Sequence, residues 1–151
     1  MTAAPARRLT RPLIAALVLA TLAGAALAKP EVTDPVVRER VEAMQLLKLQ
    51  TGILGDMAAG KLPYDAAKAE EAAAAILATA DAIEPLYEER ALDPASDALP
   101  EIWNAPGEFR QKVNRLYKAA MGVDAGSAKA IAGSMQALGA ACKDCHGRFR
   151  Q

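Results

Sequence analysis

Histidine and cysteine are scarce in this sequence, with one histidine and two cysteines among 151 residues. A structural zinc site needs about four ligands, and one imidazole with two thiols falls short of that. No second histidine is present, no motif places a carboxylate pair, and no nucleophile sits beside a base, so no enzyme is expected. Sustained period-2 alternation is missing too. No strand pattern is read, which removes the β-α-β setting of a thioredoxin-like dithiol. After Lys29 there is no apolar run of transmembrane length. A basic surplus is also lacking. The chain has 18 basic and 18 acidic residues, and the first 28 residues hold three of the basic and none of the acidic ones. The remainder carries about −3 with both signs interspersed, which argues against nucleic-acid binding, since that requires a basic face.

What is present is the run Cys142-Lys-Asp-Cys145-His146, close to the C-terminus, which uses both cysteines and the one histidine. C-x-x-C-H is the attachment signature of c-type haem. Each thiol adds to one haem vinyl group, and the adjacent imidazole becomes an axial iron ligand. On a helix, positions i, i+3 and i+4 share a face, so Cys142, Cys145 and His146 can address one porphyrin. The motif predicts one covalently attached haem c per chain, with His146 as the proximal iron ligand. Three other readings compete: a thioredoxin-like pair, a zinc site, and a plain disulfide, which is awkward between residues three apart on a helix.

The first 28 residues read as a secretory signal peptide. Arg7, Arg8 and Arg11 form a positive n-region, Leu13 to Leu27 is an apolar run, and Ala26-Leu27-Ala28 is a small-x-small cleavage site. The mature domain is expected at 29–151, in the periplasm, where bacterial c-type haem is attached after export. Within it, apolar residues recur at helical spacing. Asp34 as N-cap and Pro35 open a helix to about Ala59, with Val37, Val41, Met44, Leu47, Leu54 and Met57 on one face. Gly52 and Gly55 inside it suggest a close approach to the backbone, which ordinary helix packing explains as well. A second helix runs from about Asp65 to Ile83, with the small apolar side Ala69, Ala73, Ile76, Ala80 and Ile83, and Pro85 closes it. Leu86 to Asn104 is a long connection of the kind that crosses a four-helix bundle. A third helix covers Pro106 to Met121. A fourth runs from near Asp124 to about Arg150, and its stripe Ile131, Met135, Leu138, Cys142, Cys145 and Phe149 is an a/d seam. The fold class predicted is all-α, an antiparallel four-helix bundle with one long crossover connection.

At this point the chain resembles the class II c-type cytochromes, the cytochrome c′ family. The C-x-x-C-H lies on the last helix. Gly60-Lys-Leu-Pro-Tyr-Asp65 resembles that family's G-x-x-P-Y-D turn. Pro100-Glu-Ile-Trp103 resembles its P-x-I-W segment, and Cys142 to Arg150 resembles its C-K-x-C-H-x-x-[FY]-R ending. The resemblance implies that Trp103 and Phe149 pack near the haem, and that Arg150 lies beside the imidazole. It places Met44 at the distal position of the first helix. There, a thioether can ligate iron opposite His146, giving a low-spin electron carrier, or it can merely cover a five-coordinate iron that admits NO or CO. A third reading is a core methionine. Arg40 matches an arginine that lies near a haem propionate in many cytochromes c′ and leans towards the five-coordinate branch, while Ile53-Leu-Gly55 looks more like the low-spin members. The function expected is one-electron transfer with a redox partner protein. The alternative is a gas-binding protein, and the weakest reading is a bundle without haem. The Ala-rich second helix and the resemblance are compatible with a homodimer.

Overall fold

A computed structural model describes residues 31–151. The expected signal peptide, its cleavage site and Lys29 lie outside them. The described residues form five helices: α1 (Pro35–Ala58), α2 (Ala66–Leu86), α3 (Glu101–Asn104), α4 (Pro106–Met121) and α5 (Ala128–Phe149). Four are long and α3 is a single turn inside the long connection. Around the bundle, α1 packs on α2 and α5, and α4 packs on α2 and α5.

Each start has a local chemical cause. The Asp34 carboxylate accepts from the Val37 N–H at 3.0 Å, and Pro35 fills the first helical position. The Asp65 carboxylate accepts from Lys68 N–H at 3.1 Å and opens α2. Gly60, with φ +71°, takes the left-handed conformation in the turn after α1. Helix α5 starts later than the sequence predicts. Asp124 spends its carboxylate on the Gly126 N–H at 2.9 Å, and Ser127 is the N-cap, accepting from Ala130 N–H at 3.1 Å. Pro85 does not close α2 but sits in its last turn, before Leu86. A proline there removes the hydrogen bond to the Asp81 carbonyl one turn back and crowds it, and the helix ends at the next residue. The two short turns meet at one end of the bundle, where the Tyr64 hydroxyl donates to the Ala125 carbonyl at 2.8 Å.

The core runs along the middle, with Leu54, Met57, Ile76, Ile83, Ile131 and Leu138 almost completely buried. The predicted α5 stripe faces it: Ile131, Leu138 and Phe149 are buried, and Met135, Cys142 and Cys145 pack against the cluster. On α1 the expected Val37, Leu47, Leu54 and Met57 are buried, whereas Val41 is only half-buried, as is Met44. On α2 it is Ala72, not Ala73, that reaches full burial. A Cβ at Gly52 or Gly55 would meet no protein atom of the described residues within 4 Å, so packing within the chain does not require glycine there.

The long connection, expected as a crossover, spans one end of the bundle and not its length. It joins α2 to its neighbour α4 and ties together the start of α1 and the end of α5. Leu99 N–H donates to the Phe149 carbonyl at 2.9 Å and Gln151 N–H to the Asp97 carbonyl at 3.0 Å. Asp93, a buried acid, accepts from the N–H groups of Thr33, Asp34 and Ala95 and from the Thr33 hydroxyl, at 2.8 to 3.1 Å. These backbone donors hold its carboxyl down at about 2 from an ordinary 3.8. The folded pKa lies below the unfolded one, so the stabilisation is fully present above about pH 4 and is lost as pH falls through about 2. Asp93→Asn should therefore lower the thermal midpoint at pH 5 to 7, and the gap to the parent should close towards pH 2. A gap independent of pH in circular-dichroism melts would show that the carboxylate charge is not what ties this end down.

Candidate functional site

The C-x-x-C-H run occupies the last two turns of α5. Both thiols are free and half-buried. Burial raises both, and Cys145 is pushed to about 11, with the Asp144 carboxylate and Cys142 adding to the effect and Lys112 opposing it. Reactive redox dithiols depend on a depressed pKa, so these thiols lack the electrostatics of a thioredoxin-like pair. Among the described residues, no cluster of three or more His, Cys, Asp or Glu side chains could hold a metal ion, which leaves a zinc site without ligands. His146 stands on the exposed side of α5. Desolvation and, next, the Arg150 charge hold its imidazole below the ordinary pKa, favouring the neutral form that ligates metal.

The residues between the cysteines have separate roles that the motif itself does not announce. Lys143 is exposed. Asp144 is bound to α4, through Oδ1 to Lys112 Nζ at 2.7 Å and Oδ2 to Arg115 Nη1 at 2.9 Å, and these cations lower its pKa. One turn on, Arg148 Nε donates to Glu108 at 3.1 Å. The cysteine-bearing turns are thus held against α4 by ion pairs on both sides of His146. The Lys112 and Arg115 spacing of three residues on α4 was the available sequence signal for this clamp.

Arg40 is buried at 3 % exposure. Its Nε donates to the Leu86 carbonyl at 2.7 Å, Nη1 to Ala91 at 2.8 Å and Nη2 to Glu89 at 2.5 Å. Its guanidinium lies 4.7 Å from the Tyr87 ring centre and 5.3 Å from that of Trp103. In this structure the side chain closes the end of α2 and the connection beyond it, with all three nitrogens engaged on backbone carbonyls. Trp103, on α3, donates its indole N–H to the Tyr87 carbonyl at 2.8 Å. Phe149 is buried and packs edge-on against Phe109 at 5.4 Å, and Phe109 meets Tyr87 at 5.2 Å. Tyr87, which the sequence reading passed over, therefore joins Arg40, Trp103 and the Phe109–Phe149 pair. Burial raises its phenol, and Cys145 is close enough to add to that shift. Arg150 leaves the helix as its C-cap and forms two bonds to Asp97 Oδ2, from Nη2 at 2.9 Å and Nε at 3.3 Å, while remaining within electrostatic reach of His146. Met44 packs half-buried on the same core cluster as Cys142, Cys145, Trp103 and Tyr87.

This donor set fits a c-type haem: two protonated, unpaired thiols against an apolar core, an adjacent imidazole, and aromatic walls. The comparisons agree with that chemistry. The family described as cytochrome c′ matches residues 35–150. Cytochrome c-554 of Cereibacter sphaeroides is 38% identical over 125 residues, covering 78% of this chain and 82% of that one. Cytochrome c′ of Alcaligenes xylosoxydans xylosoxydans is 31% identical over 128 residues, covering 82% and 97%. Among solved structures, the nitric oxide complex of a cytochrome c′ mutant from Alcaligenes xylosoxidans superposes with a TM-score of 0.67 at 25% identity, covering 80% of this chain and 99% of that one. The bundle, the terminal motif and these likenesses converge, and the chain belongs to the cytochrome c′ family of haem c proteins.

Proposed function

We propose that the protein is a periplasmic one-electron carrier in which Cys142 and Cys145 hold haem c through thioether bonds, His146 is the proximal ligand and Met44 the distal one. The bound haem supplies a reversible one-electron iron couple. The chain's residues do the rest. The Asp144 and Arg148 ion pairs fix the turns that carry His146, and its lowered pKa keeps the imidazole neutral. Trp103, Tyr87 and Phe149 supply an apolar wall that keeps water away, which favours the less charged, reduced state.

The position of Met44 carries this reading. It lies half-buried on α1 against the cluster that also receives both cysteines, and a soft thioether there raises the potential of a histidine-ligated iron. The second reading, a five-coordinate protein that takes NO or CO for sequestration or sensing, draws on the nitric oxide complex of the structural neighbour. The reduced visible spectrum with and without CO decides. A sharp α band indifferent to CO supports the carrier, and a broad band that shifts with CO supports the gas binder. Met44→Ala should turn a carrier's low-spin spectrum high-spin and open it to CO. If neither spectrum nor CO binding changes, Met44 is not the distal residue.

No catalytic residue is assigned. Among the described residues no helix is long and apolar enough to cross a membrane. The reading includes a homodimer, because Ala74, Ala78 and Ala82 line the solvent side of α2 at helical spacing and let a second helix come close. Sedimentation velocity on the holoprotein tests it.

A further inference from the structure

We infer that the outer face of α4, together with the last turns of α5, is the docking surface for an acidic electron-transfer protein. The inference rests on the carrier reading above. Residues 31–93 hold thirteen acidic and six basic residues, whereas residues 94–151 hold five acidic and eight basic. The fold keeps the two populations apart, because α1 and α2 come from the first segment and α4 and α5 from the second.

Two open grooves flank α4. The one towards α2, about 620 Å³, is lined by Glu84, Arg110, Arg115 and Lys118. The one towards α5, about 480 Å³, is lined by Glu108, Lys112, Lys143, Asp144 and Arg148. Arg115 lines the first and binds Asp144 of the second, so the grooves form one surface with six cations against three carboxylates. Its ion pairs are internal and leave a net positive face on residues 31–151, which together hold 14 basic and 18 acidic residues. Lys143, Asp144 and Arg148 alternate with Cys142, Cys145 and His146 along the same turns of α5, so this face adjoins the proposed haem site. A grooved, polar and cation-rich surface beside the redox centre matches a partner surface rich in carboxylates, which it would both steer and orient.

Oxidation of the reduced holoprotein by ferricyanide tests the electrostatics. One electron passes from ferrous iron to ferricyanide, giving ferric iron and ferrocyanide, with no bond or proton exchanged. If electrons left evenly over the surface, the acidic surplus of residues 31–151 would repel this anion and added salt would speed the reaction. Exit through the basic face predicts the opposite. The rate should fall several-fold between about 0.01 and 0.1 M ionic strength, where the Debye length shrinks from about 30 to 10 Å. Arg110→Glu with Lys118→Glu should slow the low-salt reaction several-fold with the visible spectrum unchanged. A rate that rises with salt overturns the inference. Binding is read separately by titrating poly-L-aspartate into ¹⁵N-labelled holoprotein. Amide shifts should concentrate on α4 and the end of α5, and shifts centred on α1 and α2, or none, overturn the assignment. A CO-sensitive spectrum would instead defeat the carrier reading, so the two failures are distinguishable.

Discussion

Replacing Cys142 and Cys145 together with alanine should abolish covalently held haem. These are the only thiols in the chain, and no other side chain forms a thioether to a vinyl group. Both thiols already lie against the core on one helical face, so their removal takes away the attachment chemistry and little of the packing. Each single variant keeps one link and should yield a reduced amount of haem protein with an altered α band. Expression in cells competent for c-type attachment, followed by acid-acetone extraction and haem staining on a denaturing gel, provides the measurement. Haem that stays with the double-variant polypeptide would refute attachment at these residues.

Arg40→Met should cost about 3 kcal/mol of stability, a large share of a typical domain's total. The guanidinium is buried, and its burial lowers its pKa, with Tyr87, Asp34 and Glu89 working against that shift. It holds the carbonyls of Leu86, Glu89 and Ala91 at once. Methionine fills the volume between Tyr87 and Trp103 but leaves all three acceptors without that donor. Arg40→Lys should recover only about 1 kcal/mol, because an ammonium cannot reach three divergent carbonyls as a planar fork does. Chemical denaturation followed by circular dichroism should show a lower midpoint at unchanged slope. A loss below about 1 kcal/mol would mean that water replaces the arginine at these carbonyls.

The parts of this molecule legible in its sequence are those set by local rules. The α5 stripe, the Asp34 and Pro35 start of α1, and the 106–121 helix follow from periodicity and capping within a single segment. The haem motif is legible because three residues at fixed spacing carry it. What was missed depends on groups far apart in the chain. The backbone carbonyls that Arg40 holds lie 46 to 51 residues away, at the end of α2 and in the connection beyond it. Tyr87 and Asp93 follow no periodic pattern, and their roles exist only once the connection has folded over the end of the bundle. Asp124 and Ser127 are both good N-caps, and local sequence does not rank them. The choice follows from Asp124 using its carboxylate within the turn.

Trp103 is the only tryptophan of the chain, and it is anchored on Tyr87 at the end of the bundle that Arg40 and Asp93 tie together. Its ultraviolet emission therefore reports that end alone. With haem held at the proposed site, energy transfer to the porphyrin should keep the folded protein nearly dark, and separation of α3 from Tyr87 should restore the light even while the haem remains covalently attached. Trp103 would then serve as a built-in optical gauge of whether that end of the bundle is closed.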